Sequence, residues 1–215
     1  MKMLILGAAG QVASILIKLL VQETDSKLVL YARNADQRLK KEVPDREEII
    51  AGDFLDSNTL NKAMKGVELV YLNDMGNSEA VENVIESMKK NGVKRIIGAS
   101  ILGIYNEVTG KFGEWNTTMI GSSPRMEEQK RSAQLIETSN LDYTLLRLTW
   151  LYNDSASLSY QFTIKGEPFI GAQITRGAVA RAIADIIEDD DGTYSSESLG
   201  ISEVGSEKLE KPSFY

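Results

Sequence analysis

Short apolar runs alternate along the chain with segments in which apolar residues recur every three or four positions. Such runs are typical of buried strands in a parallel sheet, and such segments are typical of the helices that cover it. The pattern predicts six strands, at Met3–Leu6, Lys27–Tyr31, Glu48–Ala51, Glu68–Leu72, Lys94–Ala99 and Asp142–Arg147. It predicts helices at Gln11–Val21, Leu60–Lys65, Glu79–Asn91 (ended by Gly92), Arg125–Ser139 and Gly177–Glu188. This alternation favours an α/β fold with a doubly wound parallel sheet and a ligand crevice at the carboxyl ends of its strands.

Two segments stand outside this pattern. Gly103–Pro124 is too long for a simple connection between a strand and a helix, and we predict a loop of the length that is usually functional or mobile. Gly192–Tyr215 is rich in Ser, Glu and Lys, and Ile201 and Val204 suggest a short strand, possible as an antiparallel edge. Phe214 and Tyr215 are expected to dock on the body of the protein.

A glycine-containing turn directly follows the first strand, in the sequence GAAGQVA from Gly7 to Ala13. Gly7 permits a tight turn, Gly10 lets the backbone approach a diphosphate, and Ala13 keeps the helix close to the strand. The helix then directs its first N–H groups and its positive dipole end at that diphosphate; the backbone contacts are expected at Ala9, Gln11 and Val12. The sequence thus predicts a dinucleotide site, the alternative being a turn that only joins a strand to a helix.

Composition narrows the possible chemistry. The 215 residues are 42% hydrophobic, enough for one domain with a substantial core, and the net charge of −7 gives no indication of a nucleic-acid or anionic membrane surface. No apolar run reaches the roughly 20 residues of a membrane span, and we expect a cytoplasmic protein. The chain has no Cys and no His, which excludes thiolate nucleophiles, Ser-His-Asp triads and most transition-metal sites. Proton chemistry would fall to Tyr, Lys, Asp, Glu, Ser or Thr, as suits an enzyme whose nicotinamide cofactor carries the difficult step.

Five motifs occur in order: GAAGQVA, YAR at Tyr31–Arg33, GDFLD at Gly52–Asp56, RIIGAS at Arg95–Ser100 and LDYTLLR at Leu141–Arg147. Together they resemble the atypical short-chain dehydrogenases/reductases, and more narrowly the NmrA-like NAD(P)-binding group, over about residues 1–190. The resemblance implies a single Rossmann-type domain over residues 1–215, a bound NAD(P)(H) and a small substrate cap formed by about residues 150–215.

The end of the second strand bears on the choice of cofactor. NAD enzymes place an acidic residue there against the ribose 2′-OH, whereas this chain has Ala32, Arg33 and Asn34. A guanidinium suits a phosphate monoester, so Arg33 favours NADP, with NAD still possible; Arg38 is a candidate to assist. The alternative is that Arg33 is a solvated surface side chain.

Further cofactor contacts follow from the resemblance. It implies that Asp53 hydrogen-bonds the adenine amino group and that Phe54 borders the ring, although an Asp at a strand end is also a common turn residue. It places Asn73, Met75 and Gly76 beside the ribose and diphosphate, where their role would be mostly the shape of the backbone. It places the backbone from Thr149 to Leu151 beside the nicotinamide carboxamide.

The catalytic residues of the resembling family are Ser, Tyr and Lys, with Tyr and Lys one helical turn apart. Ser100 occupies the serine position and is also expected to contact the cofactor. Counting back from LDYT places Arg125 and Gln129 at the other two positions, and a shift of one residue gives Met126 and Lys130. Tyr105 is then the nearest phenol that could act as the acid, and Lys130 the nearest amine; for each, a purely structural or solvated role stays open.

Aromatic residues Trp115, Trp150 and Tyr152 either line an apolar substrate pocket or belong to the core. Two functions remain in view. One is an NADP-dependent oxidoreductase for a small carbonyl compound or alcohol. The other is a non-catalytic NADP(H) sensor that acts through a protein partner.

Overall fold

The computed structural model describes residues 1–121 and 123–215. Its strands are β1 (Lys2–Leu6), β2 (Lys27–Ala32), β3 (Glu47–Ala51), β4 (Leu69–Leu72), β5 (Arg95–Ile101), β6 (Asp142–Leu148), β7 (Trp150–Tyr152), β8 (Gln161–Ile164), β9 (Gln173–Thr175) and β10 (Glu197–Ser202). Its helices are α1 (Gln11–Glu23), α2 (Ala35–Arg38), α3 (Ser57–Ala63), α4 (Ser78–Asn91), α5 (Gly110–Ile120), α6 (Pro124–Glu137) and α7 (Arg176–Ile187). All six predicted strands and all five predicted helices are present, with ends that differ by up to three residues.

The main sheet has eight strands in the order β3-β2-β1-β4-β5-β6-β10-β8. All neighbouring pairs are parallel except β10 with β8. The first six strands have the order of a Rossmann sheet, and the chain reverses its direction of winding between β1 and β4. The predicted doubly wound α/β fold in a single domain is confirmed, and the crevice at this reversal lies outside the carboxyl ends of β1 and β4.

Helices cover both faces because the central strands are apolar on both sides. On β1, Met3 and Ile5 belong to the core under α1 and α7, while Leu4 and Leu6 belong to the core under α3, α4 and α6. All four side chains are fully buried. This two-sided burial fixes the position of β1, and therefore of the turn that follows it.

The segment Gly103–Pro124, predicted as a loop, contains helix α5. Two glycines and two adjacent threonines give GKFGEWNTTMI a low helix propensity, so the prediction failed where tertiary contacts decide. Phe112 and Trp115 of α5 pack with Leu102, Phe169 and Trp150. Ile120, the last residue of the helix, lines the crevice at the carboxyl ends of the strands.

The segment after residue 150 also differs from its prediction. β10 contains Ile201 but ends before Val204, and it is an inner strand, parallel to β6; the antiparallel edge strand is β8. Helix α7 packs against α1. Within residues 150–215, β8 and β10 extend the main sheet, β7 and β9 form a separate two-stranded sheet, and Trp150 and Leu151 line the crevice.

The aromatic residues near the end of the chain dock as expected. The Tyr215 ring centroid lies 5.2 Å from those of Trp115 and Trp150, and the Phe214 ring lies 5.6 Å from Tyr152. Trp150 donates a hydrogen bond from Nε1 to Asn116 Oδ1 at 2.9 Å. Trp115 and Tyr152 are therefore packed against the final residues.

A buried ion pair shapes the loop between β5 and α5. Arg147 Nη1 on β6 lies 2.8 Å from Glu107 Oε1, and both side chains are almost fully inaccessible. The Glu107 carboxylate also accepts hydrogen bonds from the N–H groups of Gly103 and Tyr105. Removal of either charge would leave the other buried and unpaired, so the pair fixes this loop at the carboxyl end of the sheet.

Candidate functional site

Two adjoining clefts lie at the carboxyl ends of the central strands. The first, of about 390 Å³, is lined by residues that follow β1, β2, β3 and β4. The second, of about 360 Å³, is lined by residues that follow β4, by residues at and after the ends of β5 and β6, and by the first turns of α6. Within residues 1–121 and 123–215, three residues line both clefts: Asn73, Asp74 and Arg125.

The glycine turn forms one wall of the first cleft. Gly7 has a φ of +82°, a left-handed conformation that favours glycine. A Cβ on Gly10 would collide with the side-chain amide of Asn73. Only a residue without a side chain therefore leaves this surface free for a ligand.

The amino end of α1 supplies donors to the same wall. Its first intrahelical bond runs from Ser14 N–H to the Gly10 carbonyl, so the N–H groups of Gln11 and Val12 have no intrahelical acceptor. No side chain caps the helix at Gly10. With the helix dipole, this end is suited to an anion.

A hydrogen bond from Tyr71 holds the side-chain amide of Asn73 in place. The buried Tyr71 hydroxyl donates to Asn73 Oδ1 at 2.9 Å. Burial raises the pKa of Tyr71, so the phenol stays protonated as a donor. The amide nitrogen of Asn73 therefore faces the glycine turn.

The far end of the first cleft is basic and carries an aromatic ring. Arg33 Nε lies 3.9 Å from Asp53 Oδ2, and Arg38 lines the same cleft. Asp53 Oδ1 accepts from the N–H of Leu55. The Phe54 ring stacks on that of buried Tyr31, with centroids 6.1 Å apart.

The second cleft combines apolar walls with a few polar groups. Its apolar lining residues include Ile101, Leu102, Ile120, Leu148 and Trp150. Ser100 Oγ donates to Gln129 Oε1 at 3.1 Å, and both residues are 1% exposed. The Thr149 hydroxyl is buried and has no hydrogen-bond partner within the described residues.

Comparison with known proteins agrees with this geometry. Residues 7–190 match the family described as NAD(P)H-binding. The chain belongs to the NAD(P)H-binding family.

Solved structures similar to this NAD(P)H-binding protein include a short-chain dehydrogenase/reductase from Veillonella parvula DSM 2008 in complex with NADP. It is 32% identical, with a TM-score of 0.94 and 99% of each chain covered. A Rossmann-fold NAD(P)-binding family protein from Shigella flexneri is 33% identical, with a TM-score of 0.81, over 100% of this chain and 98% of that one. A Bacillus subtilis (strain 168) protein described as an uncharacterized sugar epimerase, YhfK, is 24% identical over 72% of this chain and 74% of its own length. The chain therefore has the fold of NAD(P)-binding short-chain dehydrogenases/reductases.

The clefts of this NAD(P)H-binding protein fit a nicotinamide dinucleotide. The side chain excluded at Gly10 leaves space for a diphosphate, and the orphaned Thr149 hydroxyl offers a partner to a polar group such as a carboxamide. Most of the residues predicted to bind the cofactor line one cleft or the other: Gly7, Ala9, Gly10, Arg33, Asp53, Phe54 and Asn73 in the first, and Ser100, Thr149 and Leu151 in the second. Gln11 and Val12 contribute the backbone of the first turn of α1.

The two residues considered as substitutes for Tyr and Lys lie elsewhere. The Tyr105 hydroxyl donates to Glu137 Oε1 at 2.5 Å and contacts Ser198, and Tyr105 is not among the residues lining either cleft. Burial and the Glu137 hydrogen bond raise the pKa of Tyr105, which opposes release of its proton. Lys130 lies 3.1 Å from Glu127 on the surface of α6. Neither placement supports the predicted catalytic role.

Arg125 and Gln129, one turn apart on α6, do face the second cleft. Counting back from LDYT locates these positions, but neither residue type has the chemistry expected there, so the sequence alone does not predict a role for either. Asp74 was also missed, because a carboxylate in a loop has no pattern that distinguishes it. Only the structure places Asp74 between the two clefts.

Proposed function

We propose that this protein is an NADP(H)-dependent oxidoreductase that acts on a small, largely apolar carbonyl compound or alcohol. The observation that carries the proposal is the second cleft, which adjoins the dinucleotide cleft and pairs apolar walls with the buried Ser100–Gln129 hydrogen bond. When bound, a reduced nicotinamide supplies the hydride in such chemistry. The protein must then position the substrate and polarise its oxygen.

Ser100 and Gln129 can polarise that oxygen. The Ser100 hydroxyl can turn from Gln129 Oε1 to a substrate oxygen, and the Gln129 amide offers two N–H donors. Both groups are buried, and hydrogen bonds are electrostatically stronger away from bulk water. Among the described residues that line the second cleft, Asp74 is the one with a carboxylate, and it is paired with Arg125. We therefore propose that the proton added to the substrate oxygen comes from water.

We propose NADP rather than NAD as the preferred cofactor. Arg33 and Arg38 both line the first cleft after β2, where an enzyme specific for NAD would have an acidic residue. The related Veillonella parvula structure holds NADP, which supports the proposal. Arg125 and Gln129 at the Tyr and Lys positions also lead us to propose an atypical subgroup, of which the NmrA-like proteins are the candidate.

The same substitutions favour a second candidate function, a non-catalytic NADP(H) sensor that acts through a protein partner. A sensor needs the first cleft but no proton donor in the second. In the register that counting back from LDYT gives, the Tyr and Lys positions hold Arg125 and Gln129, which cannot release a proton near neutral pH.

The two functions can be separated with purified protein. NADPH and NADH are titrated by fluorescence, and a panel of ketones, aldehydes and quinones is then screened for NADPH oxidation. Turnover that falls in Ser100→Ala and in Gln129→Leu, with NADPH affinity retained, supports the oxidoreductase. Tight NADPH binding with no turnover on any compound supports the sensor. Failure to bind either nucleotide contradicts both.

A further inference from the structure

Arg125 lies at the boundary between the two clefts. It is the second residue of α6, and its Nη2 is 3.0 Å from Asp74 Oδ1 in the loop after β4. The side chains of Arg125 and Asp74 are 60% and 53% exposed. An extended dinucleotide that occupies both clefts must pass these two residues and Asn73, because the same three line both clefts.

The guanidinium is directed at the same space as the glycine turn. It lies against Gly76, where an added Cβ would be 2.7 Å from Arg125 Nη1. Gly76 lines the first cleft together with Gly7 and Gly10. The positive charge of Arg125 and the positive end of α1 therefore border one cleft, the place where a diphosphate fits.

The location of Arg125 on α6 is itself unfavourable. A cation in the first turn of a helix opposes the helix dipole. In addition, an ion pair as exposed as Arg125–Asp74 contributes little to stability. A residue whose placement opposes local stability in this way is typical of functional positions.

Asp74 and a diphosphate compete for the same guanidinium. A diphosphate carries more negative charge than one carboxylate, and its oxygens match the planar fork of an arginine. Asp74 Oδ1 keeps a second partner, because it also accepts from the N–H of Gly76 at 2.9 Å. Loss of Arg125 therefore does not strip this carboxylate of hydrogen bonds.

We propose that Arg125 is a ligand of the cofactor diphosphate, held by Asp74 in the free protein and transferred to the diphosphate on binding. The residue that counting back from LDYT places at the tyrosine position thus helps to bind the cofactor. This inference rests on dinucleotide binding alone, and it is independent of turnover and of the preference for NADP.

The test measures NADPH binding by equilibrium fluorescence and by stopped flow. Arg125→Gln is expected to weaken NADPH binding about 10- to 100-fold, as for loss of one charge-assisted phosphate contact. Asp74→Asn keeps the acceptor for Gly76 but removes the competing charge. It is expected to tighten binding a few-fold and to raise the association rate, and both effects shrink in the Arg125→Gln background.

Two controls test whether the loss of NADPH affinity is specific to the contact with the diphosphate. Arg131→Gln removes a similarly exposed charge from α6, where Arg131 is 3.2 Å from Glu128, and NADPH affinity is expected to change less than about two-fold. Adenosine 2′-monophosphate, which reaches the Arg33 end of the cleft and has no diphosphate, is expected to bind Arg125→Gln and the unmodified protein equally.

Three results would overturn the inference. Unchanged NADPH affinity in Arg125→Gln would show that Arg125 is not a ligand. Weaker NADPH binding in Asp74→Asn would show that Arg125 must stay paired with Asp74 in the complex, and not that it moves from Asp74 to the diphosphate. Equal loss of adenosine 2′-monophosphate and NADPH binding would show a disturbed cleft. An absence of turnover with the expected binding results would contradict only the proposed oxidoreductase function.

Discussion

Replacement of Arg33 is expected to reduce the preference for NADPH over NADH. The Arg33 side chain is 78% exposed in the first cleft, 3.9 Å from Asp53 and adjacent to Arg38. A hydrogen bond to a charged group contributes about 1.5–3 kcal/mol, and exposure places this one near the lower value. Arg33→Gln should therefore weaken NADPH binding about 10-fold. Arg38 stays in place and retains part of the attraction.

Arg33→Asp is the stronger perturbation. The new carboxylate stands near Asp53, so it adds negative charge where the 2′-phosphate would lie. Two unit charges about 4 Å apart in water interact by about 1 kcal/mol, and the phosphate carries more than one charge. The total loss of NADPH affinity should reach about 100-fold or more. NADH binding should be unchanged or improved, because a carboxylate can accept from the ribose 2′-OH.

The measurement is the ratio of NADH and NADPH dissociation constants, obtained by fluorescence titration of each variant. Arg131→Gln is the matched control, since Arg131 is exposed on α6 and is not among the residues lining either cleft. Its ratio should equal that of the unmodified protein. Equal affinities for NADH and NADPH before any substitution, or an unchanged ratio in Arg33→Asp, would refute the assignment of Arg33 to the 2′-phosphate.

Three further substitutions test other parts of the site. Gly10→Val should abolish NADPH binding while circular dichroism stays native, because a side chain there meets Asn73; retained affinity would contradict the proposed diphosphate position. Tyr105→Phe should leave turnover within about two-fold, far from the 10²–10⁴-fold loss typical of a general acid, and a loss of that size would restore Tyr105 as the acid. Thr149→Val should raise the melting temperature by about 2–4 °C, since it removes a buried unpartnered hydroxyl, and should weaken NADPH binding several-fold. Weaker binding with a lowered melting temperature would indicate general damage.

The order of strands and most of the first cleft follow from the sequence because their signals are local. Met3–Leu6 is short and apolar and is followed at once by Gly7 and Gly10, so one stretch of sequence specifies a buried strand, a turn and a helix start. The signal for NADP is equally local, because it consists of Arg33 with no acidic residue at the adjacent positions. Such features require no knowledge of distant contacts.

The second cleft could not be predicted to the same extent because it depends on long-range packing. Helix α5 has low propensity and forms where Phe112 and Trp115 meet β7 and the β8–β9 connection. The partnership of Ser100 with Gln129 joins β5 to α6 across 29 positions of sequence. The inward place of β10 likewise depends on its pairing with β6 and β8.

The hydrogen bonds of three tyrosine hydroxyls bear on which groups of the protein can release a proton. The Tyr31 hydroxyl donates to the Asp53 carbonyl, that of Tyr71 to Asn73, and that of Tyr105 to Glu137. Burial raises the pKa of all three phenols, so each holds its proton and serves to fix a neighbouring group.

Near the clefts, then, the phenols orient Asn73 and the Asp53 turn, while α6 presents Arg125 and Gln129 where a dehydrogenase of the resembling family would present Tyr and Lys. The glycine turn and Asn73 thus line one cleft, Ser100 and Gln129 line the other, and the three tyrosine hydroxyls are each bonded to a neighbouring group. For this reason water is the proton source in the oxidoreductase that we propose. For the same reason, NADPH binding without turnover would be a coherent outcome of this geometry rather than a sign of a damaged protein.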